Sequence, residues 1–186
     1  MGMQKQSLLP KEYQQVEWVK TGPLINAFSS YVLTGIANAN IADVVVKYKV
    51  LSTTDASNPP MIVASYASGG NTPVAPWATI GGNSSPASVL ITPTYTAPWD
   101  DISDTFTISY PTGAPNYLRI GGWSDRAWTA EGAYYFVTVI GTDDTEIAKF
   151  IPCYRKTGNA AGFYDIIRNG FYPSNGTGSF IAGPNV

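Results

Sequence analysis

Alternation with a period of two runs through most of this chain. Between Ile41 and Leu51 the apolar Val44, Val46, Tyr48 and Val50 fall on one face and Lys47 and Lys49 on the other, the signature of a strand with one side in a core and one in water. Tyr13 to Lys20 repeats the pattern, setting Val16 and Trp18 against Gln15 and Glu17, and Ser30 to Ala37 reads as a further strand. After the breaker Asn58-Pro59-Pro60, Met61 to Tyr66 is apolar almost without interruption, as in a strand buried on both sides or packed under a loop. Shorter runs follow at fairly even spacing: Trp77 to Ile80, Ser88 to Thr92, Thr105 to Tyr110 and Tyr117 to Gly121, each bounded by Gly, Pro, Ser or Asn. Tyr134 to Ile140 and Glu146 to Pro152 form a hairpin across Gly141-Thr142-Asp143-Asp144. No segment carries the period of a long amphipathic helix. The rhythm predicts an all-β fold, a sandwich or a closed barrel.

The most distinctive stretch lies near the end. Ile151-Pro152-Cys153-Tyr154-Arg155-Lys156, Gly162-Phe163-Tyr164-Asp165, Asn169-Gly170-Phe171-Tyr172 and Gly176-Thr177-Gly178-Ser179-Phe180 read as short aromatic strands separated by turns. Asn169-Gly170 suits a turn with positive φ at both central residues, which predicts that the chain folds back there and that Phe163 and Phe171 face one core.

At 186 residues the chain is read as one domain with a core that needs no metal or disulfide staple. Charged residues make up only 13%, against about 25% in soluble domains, and the formal net charge is −2, so the surface is largely neutral and polar. Lysine and arginine are scattered singly, which argues against a nucleic-acid groove. The absence of histidine removes Ser-His-Asp and Cys-His bases, histidine zinc sites and imidazole switches. Cys153 stands alone in an apolar strand and reads as a buried, inert thiol rather than a nucleophile. Met1 to Pro10 has no apolar run of signal-peptide length, and no stretch approaches a membrane span; no membrane partner is expected. The myristoylation pattern suggested by Met1-Gly2 fails at Gln6. Residues 1–8 are therefore read as an arm, flexible or docked on a partner, and residues 9–186 as the domain.

Both ends of the domain carry a family resemblance. Leu9-Pro10-Lys11-Glu12-Tyr13-Gln14-Gln15-Val16-Glu17-Trp18 resembles the LPxGYxxVEYI opening of concanavalin A-like (LamG-type) β-sandwich domains found in phage virion proteins and gut-bacterial surface proteins, and Ser30 to Ile36 is similar to their TQYIDTGI segment. The closing block from Ile151 to Gly183 is similar throughout to the family ending IPCYRKSDGVIGLYDxVNNxFYTNAGTGTFxxG. The resemblance implies a two-sheet antiparallel β-sandwich of the concanavalin A-like jelly-roll type. In that arrangement the C-terminal stretch closes onto the Tyr13 to Lys20 strand, and its aromatics serve mainly as packing. The middle, from about Leu51 to Pro115, departs freely.

Three functional readings compete. Some relatives of the fold are glycoside hydrolases carrying an E-x-D-x-x-E run on one strand, but no such run occurs here. The acids instead group as Asp100, Asp101 and Asp104, and as Asp143, Asp144 and Glu146. Both sets stand beside turn signals and read as solvated loops, so the chain is not read as an enzyme. The first group could offer oxygen ligands to Ca²⁺, although it lacks the spacing of a dedicated calcium loop; no other cofactor is expected. Carbohydrate binding has better material. Trp77, Trp99, Trp123 and Trp128 supply flat apolar faces, while Asp125 and Arg126 can take hydroxyls. Core filling is the plain alternative for each tryptophan. Gly121 to Trp128 reads as the most exposed set. The third reading follows from the resemblance: a virion structural or appendage protein, assembled in the host cytoplasm without a signal peptide, whose arm docks on other virion proteins or on further copies of the chain. A surface module of a gut bacterium is the runner-up.

Overall fold

The computed structural model describes residues 8–22, 30–53, 60–69, 73–80, 88–90, 101–111, 113–121 and 130–186. These fold as β1 (Tyr13–Gln15), β2 (Val19–Lys20), β3 (Val32–Ala37), β4 (Ile41–Thr53), β5 (Met61–Tyr66), β6 (Pro73–Thr79), β7 (Ser88–Leu90), β8 (Ser103–Ser109), β9 (Tyr117–Ile120), β10 (Ala130–Gly141), β11 (Glu146–Arg155), β12 (Ala161–Asp165), β13 (Gly170–Pro173) and β14 (Ile181–Ala182). Among the described residues the one helical element is a single 3₁₀ turn, Asn38–Asn40. The strands form a nine-stranded and a five-stranded sheet. All pairings are antiparallel except that of β6 with β7, which is parallel.

The larger sheet is built on a meander. β10 pairs with β11, β11 with β12 and β12 with β13, while β10 pairs on its other side with β4, and β4 with β8. The alternation of β4 is as its sequence predicts: Val44, Val46, Tyr48 and Val50 are buried, and Lys47 is exposed. The smaller sheet runs β3-β9-β5-β6-β7, and all six residues of β5 are buried, as an unbroken apolar run requires. Between the sheets one continuous core gathers Val44, Val46, Phe106, Ile120, Val137, Phe150 and Phe163 with their neighbours. Gly132 is set by this packing: a Cβ there would lie 1.8 Å from the Tyr48 hydroxyl, so only glycine lets the Tyr48 ring cross β10 and pack 4.6 Å from that of Tyr134.

The two ends of the chain close this sheet together. β10 and β11 part company beyond Phe150, and the N-terminal segment fills the fork: β1 pairs with β11 from Cys153 to Arg155, and β2 pairs with β10 at Ala133 and Tyr134. Pro152 stands where β11 changes partner, and its carbonyl accepts the Val16 N–H at 3.1 Å. The C-terminal segment lies along the outer edge of the N-terminal one, through the β14–β2 pairing and the Val16–Asn185 bridge. The expected closure of the end onto Tyr13 to Lys20 is therefore what the structure contains. The expected single strand is not. It divides into β1 and β2 because its two halves serve different partners.

The C-terminal hairpin corrects two further expectations. The β12–β13 turn spans residues 166–169, with Asp165 opposite Gly170; Asn169 alone takes positive φ (58°) and Gly170 already begins β13. A loop of even length joins odd-numbered to even-numbered positions, so Phe163 stands opposite Tyr172 and Tyr164 opposite Phe171. Phe163 enters the main core, edge-on to Phe150 and Phe180. Phe171 lies on the other face, beside Tyr13 at 5.1 Å, in a small second cluster with Leu9, Cys153 and Tyr164.

Candidate recognition site

Register places the ends of the strands. In the smaller sheet Val32 and Val63 both stand opposite Ile120, Met61 opposite Thr79, and Thr79 opposite Leu90, so β3 and β5 start where β6, β7 and β9 finish. In the larger sheet Thr53 stands opposite Ala130, Lys20 opposite Ala133 and Lys49 opposite Ser103, so β2 and β4 finish where β8 and β10 start. The Tyr134 hydroxyl of β10 donates to the Ile62 carbonyl of β5 at 2.7 Å, and the Gly22 N–H donates to Ser30 Oγ at 3.4 Å. These bonds bring the two sets of ends to one rim of the sandwich. The described ends of the passages 23–29, 54–59, 91–100 and 122–129, each joining a strand of one sheet to a strand of the other, stand at this rim; the passages themselves lie outside the described residues.

Five of the six candidate glycan contacts fall on two of those passages, and so outside the described residues: Trp99 on 91–100, and Trp123, Asp125, Arg126 and Trp128 on 122–129. Their anchors, from Leu90 and Asp101 to Gly121 and Ala130, share the rim. The sixth, Trp77, is half-buried on β6, opposite Ser88 and two residues from the rim end of its strand. The opposite rim is tied by polar groups. Asn38 Nδ2 donates to Ser65 Oγ at 2.7 Å and to the Pro115 carbonyl at 2.8 Å, and Ser65 Oγ donates to the Pro76 carbonyl at 2.7 Å.

Of the two acidic groups singled out in the sequence, Asp101 and Asp143 serve turns, while Asp104 and Glu146 stand at the starts of β8 and β11. Asp101 has φ 65°, donates its N–H to the Val50 carbonyl and faces Lys49 Nζ at 3.4 Å; Asp104 Oδ1 accepts the Thr105 N–H. Asp143 accepts the Thr145 hydroxyl at 2.7 Å and the Thr145 N–H at 3.2 Å, which together hold its carboxyl below the ordinary value. Asp100 lies outside the described residues. Among those described, no three acidic or cysteine side chains converge as metal ligands. Burial pushes the Cys153 thiol up to about 12, so it stays protonated and acts as a small apolar core residue, as its strand setting implies. Arg119 is buried on β9 with its guanidinium 3.7 Å from the centre of the Tyr31 ring, and burial holds it down to about 10.

One aromatic pair was passed over in reading the sequence. Tyr134-Tyr135-Phe136 puts three aromatics in succession, which a strict period of two cannot place on one face. The structure resolves the conflict with a β-bulge: Tyr134 pairs with Tyr48 and Phe136 with Lys47, leaving Tyr135 as the extra residue. Tyr134 stays in the core, while Tyr135 and Phe136 are half-exposed. The run of three was the available signal.

No described helix is long and apolar enough to cross a membrane. Comparison with protein families, characterised proteins and solved structures finds no match to the chain.

Proposed function

We propose that this chain is a virion structural or appendage protein with a concanavalin A-like jelly-roll fold, whose rim of inter-sheet passages presents tryptophans to glycans. The observation that carries the recognition part is the shared rim: Trp77 and the anchors of the passages bearing Trp99, Trp123, Asp125, Arg126 and Trp128 all stand at one end of the sandwich. Function concentrates on loops positioned by a rigid scaffold, and side chains far apart in sequence converge only when their loops leave the same end. The virion part rests on the resemblance of both ends of the domain and on the sparse surface charge.

Two experiments test the parts separately. Glycan-array binding should be lost on Trp123→Ala or Trp128→Ala, and retained binding in both variants removes the rim from recognition. The protein should purify with phage particles, and deletion of Met1 to Ser7 should release it. A truncated protein that stays on particles overturns docking by the arm, and a protein never found on particles leaves the bacterial surface module as the better reading.

A further inference from the structure

We infer that an open groove on the outer face of the larger sheet, distinct from the rim, is a binding site for an acidic saccharide. The groove encloses about 1130 Å³ between the Leu8 to Lys11 turn, β1 and the facing parts of β10 and β11. No rim candidate lines it.

Its floor follows from the bulge. By adding one residue to β10, the bulge directs both Tyr135 and Phe136 out of the core, and both line the groove beside Tyr13 and Ile151. A run of consecutive half-exposed aromatics beside an open cleft is unusual on a surface, since folding gains more from burying them. Here Tyr134 alone is buried, and register holds the next two rings half-buried on the outer face, with Lys47 Nζ 5.0 Å from the centre of the Tyr135 ring. Flat aromatic faces of this kind stack on the C–H faces of sugar rings.

Its walls select charge. Lys11, Lys149 and Lys156 line the groove with one acid, Glu17; Lys149 also faces Glu146 at 3.4 Å, and the three ammonium groups against these two acids still leave a cationic excess in a chain whose formal net charge is −2. The Lys156 ammonium donates to the Lys11 carbonyl at 2.8 Å, which fixes it at the mouth. Gln14 and Gln15 add amides that can both give and take hydrogen bonds with hydroxyls. An extended peptide is a poorer fit. The main chain of the walls is used in the β1–β11, β10–β11 and β10–β4 pairings and in the Glu17–Pro184 bond, which leaves a peptide no strand edge to extend. A ligand carrying its own hydroxyls, flat faces and carboxylates matches both floor and walls, and a uronic-acid oligomer has all three.

The test titrates the full chain by calorimetry at low salt with tetragalacturonate, and with cellotetraose as a neutral oligomer of the same length. The acidic tetramer should bind and weaken as salt rises, with the neutral one at least about tenfold weaker. Tyr135→Leu and Lys149→Gln should each weaken the acidic tetramer about tenfold, the scale of one lost stacking or charge contact. Thermal unfolding of each variant identifies any that fails to fold, and Phe136→Leu then serves in place of Tyr135→Leu. The inference is overturned if tetragalacturonate does not bind, if tetraglutamate binds equally well, or if folded Tyr135→Leu and Phe136→Leu bind unchanged. Loss of this binding on Trp123→Ala, with the groove variants unaffected, would move the acidic ligand to the rim and equally overturn it.

Discussion

The C-terminal meander and the smaller sheet solve the same packing problem by different means. In the meander, β10 to β13 pair in sequence order, each register set by the turn beside it. The smaller sheet draws its neighbours from Val32 to Ile120 in the order β3-β9-β5-β6-β7, with one parallel pair. Its buried polar groups mark the difference: Ser30, Thr34, Asn38, Ser65, Thr79 and Arg119 all lie on or beside it, whereas the described strands of the meander bury only Thr138 and Asp165. Local pairing specifies itself through turns. Distant pairing is specified by polar groups that find partners only in the assembled fold.

The comparison breaks most severely at Asp165. Its Oδ1 accepts N–H groups from Lys149, Ile167 and Arg168 at 3.0 to 3.2 Å, and Oδ2 meets Arg168 Nε at 2.5 Å. Arg168 in turn donates to the Thr34 carbonyl of β3 at 3.0 Å and stacks near Tyr172, so one carboxylate organises a turn and ties meander to smaller sheet. Asp165→Ala leaves three backbone N–H groups and Arg168 Nε without their acceptor. Chemical denaturation should show a loss of about 3–5 kcal/mol, the cost of removing one partner from a buried charge pair. A loss confined to hydrogen exchange at β12 and β13 would show instead that the two regions open independently.

Tyr134 sharpens the same contrast at a smaller scale. Its hydroxyl is the bond from β10 to the Ile62 carbonyl, and Tyr134→Phe removes that link while keeping the ring; the expected loss is about 1–2 kcal/mol in the same denaturation assay. Burial holds the phenols of Tyr48, Tyr110 and Tyr134 well above their ordinary value of 10.0. Above pH 10 the unfolded chain therefore releases phenolic protons that the native state keeps, and stability falls as pH rises. Arg119, held down to about 10, acts in the opposite sense and offsets one group of the three. Absorbance near 295 nm should accordingly show these phenols ionising only with unfolding. Their smooth titration in a folded protein would contradict the packing of the core.

The strands of both regions were therefore legible in the sequence, but only in the meander was their pairing legible too. Period two located β4, and turn residues located the β10–β11 hairpin, because both signals act within a few residues. The turn length was misread because Asn-Gly signals a two-residue turn more strongly than Ile166 to Asn169 signals a four-residue one, but both loops are even and either sends Phe163 and Phe171 to opposite faces, a parity that the expectation of a shared core overlooked. The division of Tyr13 to Lys20 depends on β10 and β11 diverging, which no local pattern encodes. Nothing in Ser88 to Leu90 announces that it runs parallel to β6. Tryptophan composition suggested the candidate rim residues, but only register shows that their anchors share an end.

Asp143 gives the smallest expected effect and the cleanest view of local specification. The turn from Gly141 to Thr145 is closed by the Gly141 N–H to the Thr145 carbonyl at 2.7 Å and by the Asp144 N–H to the Gly141 carbonyl at 3.0 Å, with Asp144 at φ 63°. The Asp143 carboxylate adds two bonds from Thr145 to a frame that the backbone already makes. Because its native carboxyl is held below the ordinary value, its contribution is present above the unfolded carboxylate range and fades as pH falls through the native value. Asp143→Ala should lower the thermal midpoint slightly at neutral pH and not at all once that carboxyl is protonated. The solvent-exposed position keeps the difference small. If the variant loses as much as Tyr134→Phe, the hairpin turn is a strong determinant of the meander, and local pairing carries more of the fold's stability than the bonds between the sheets.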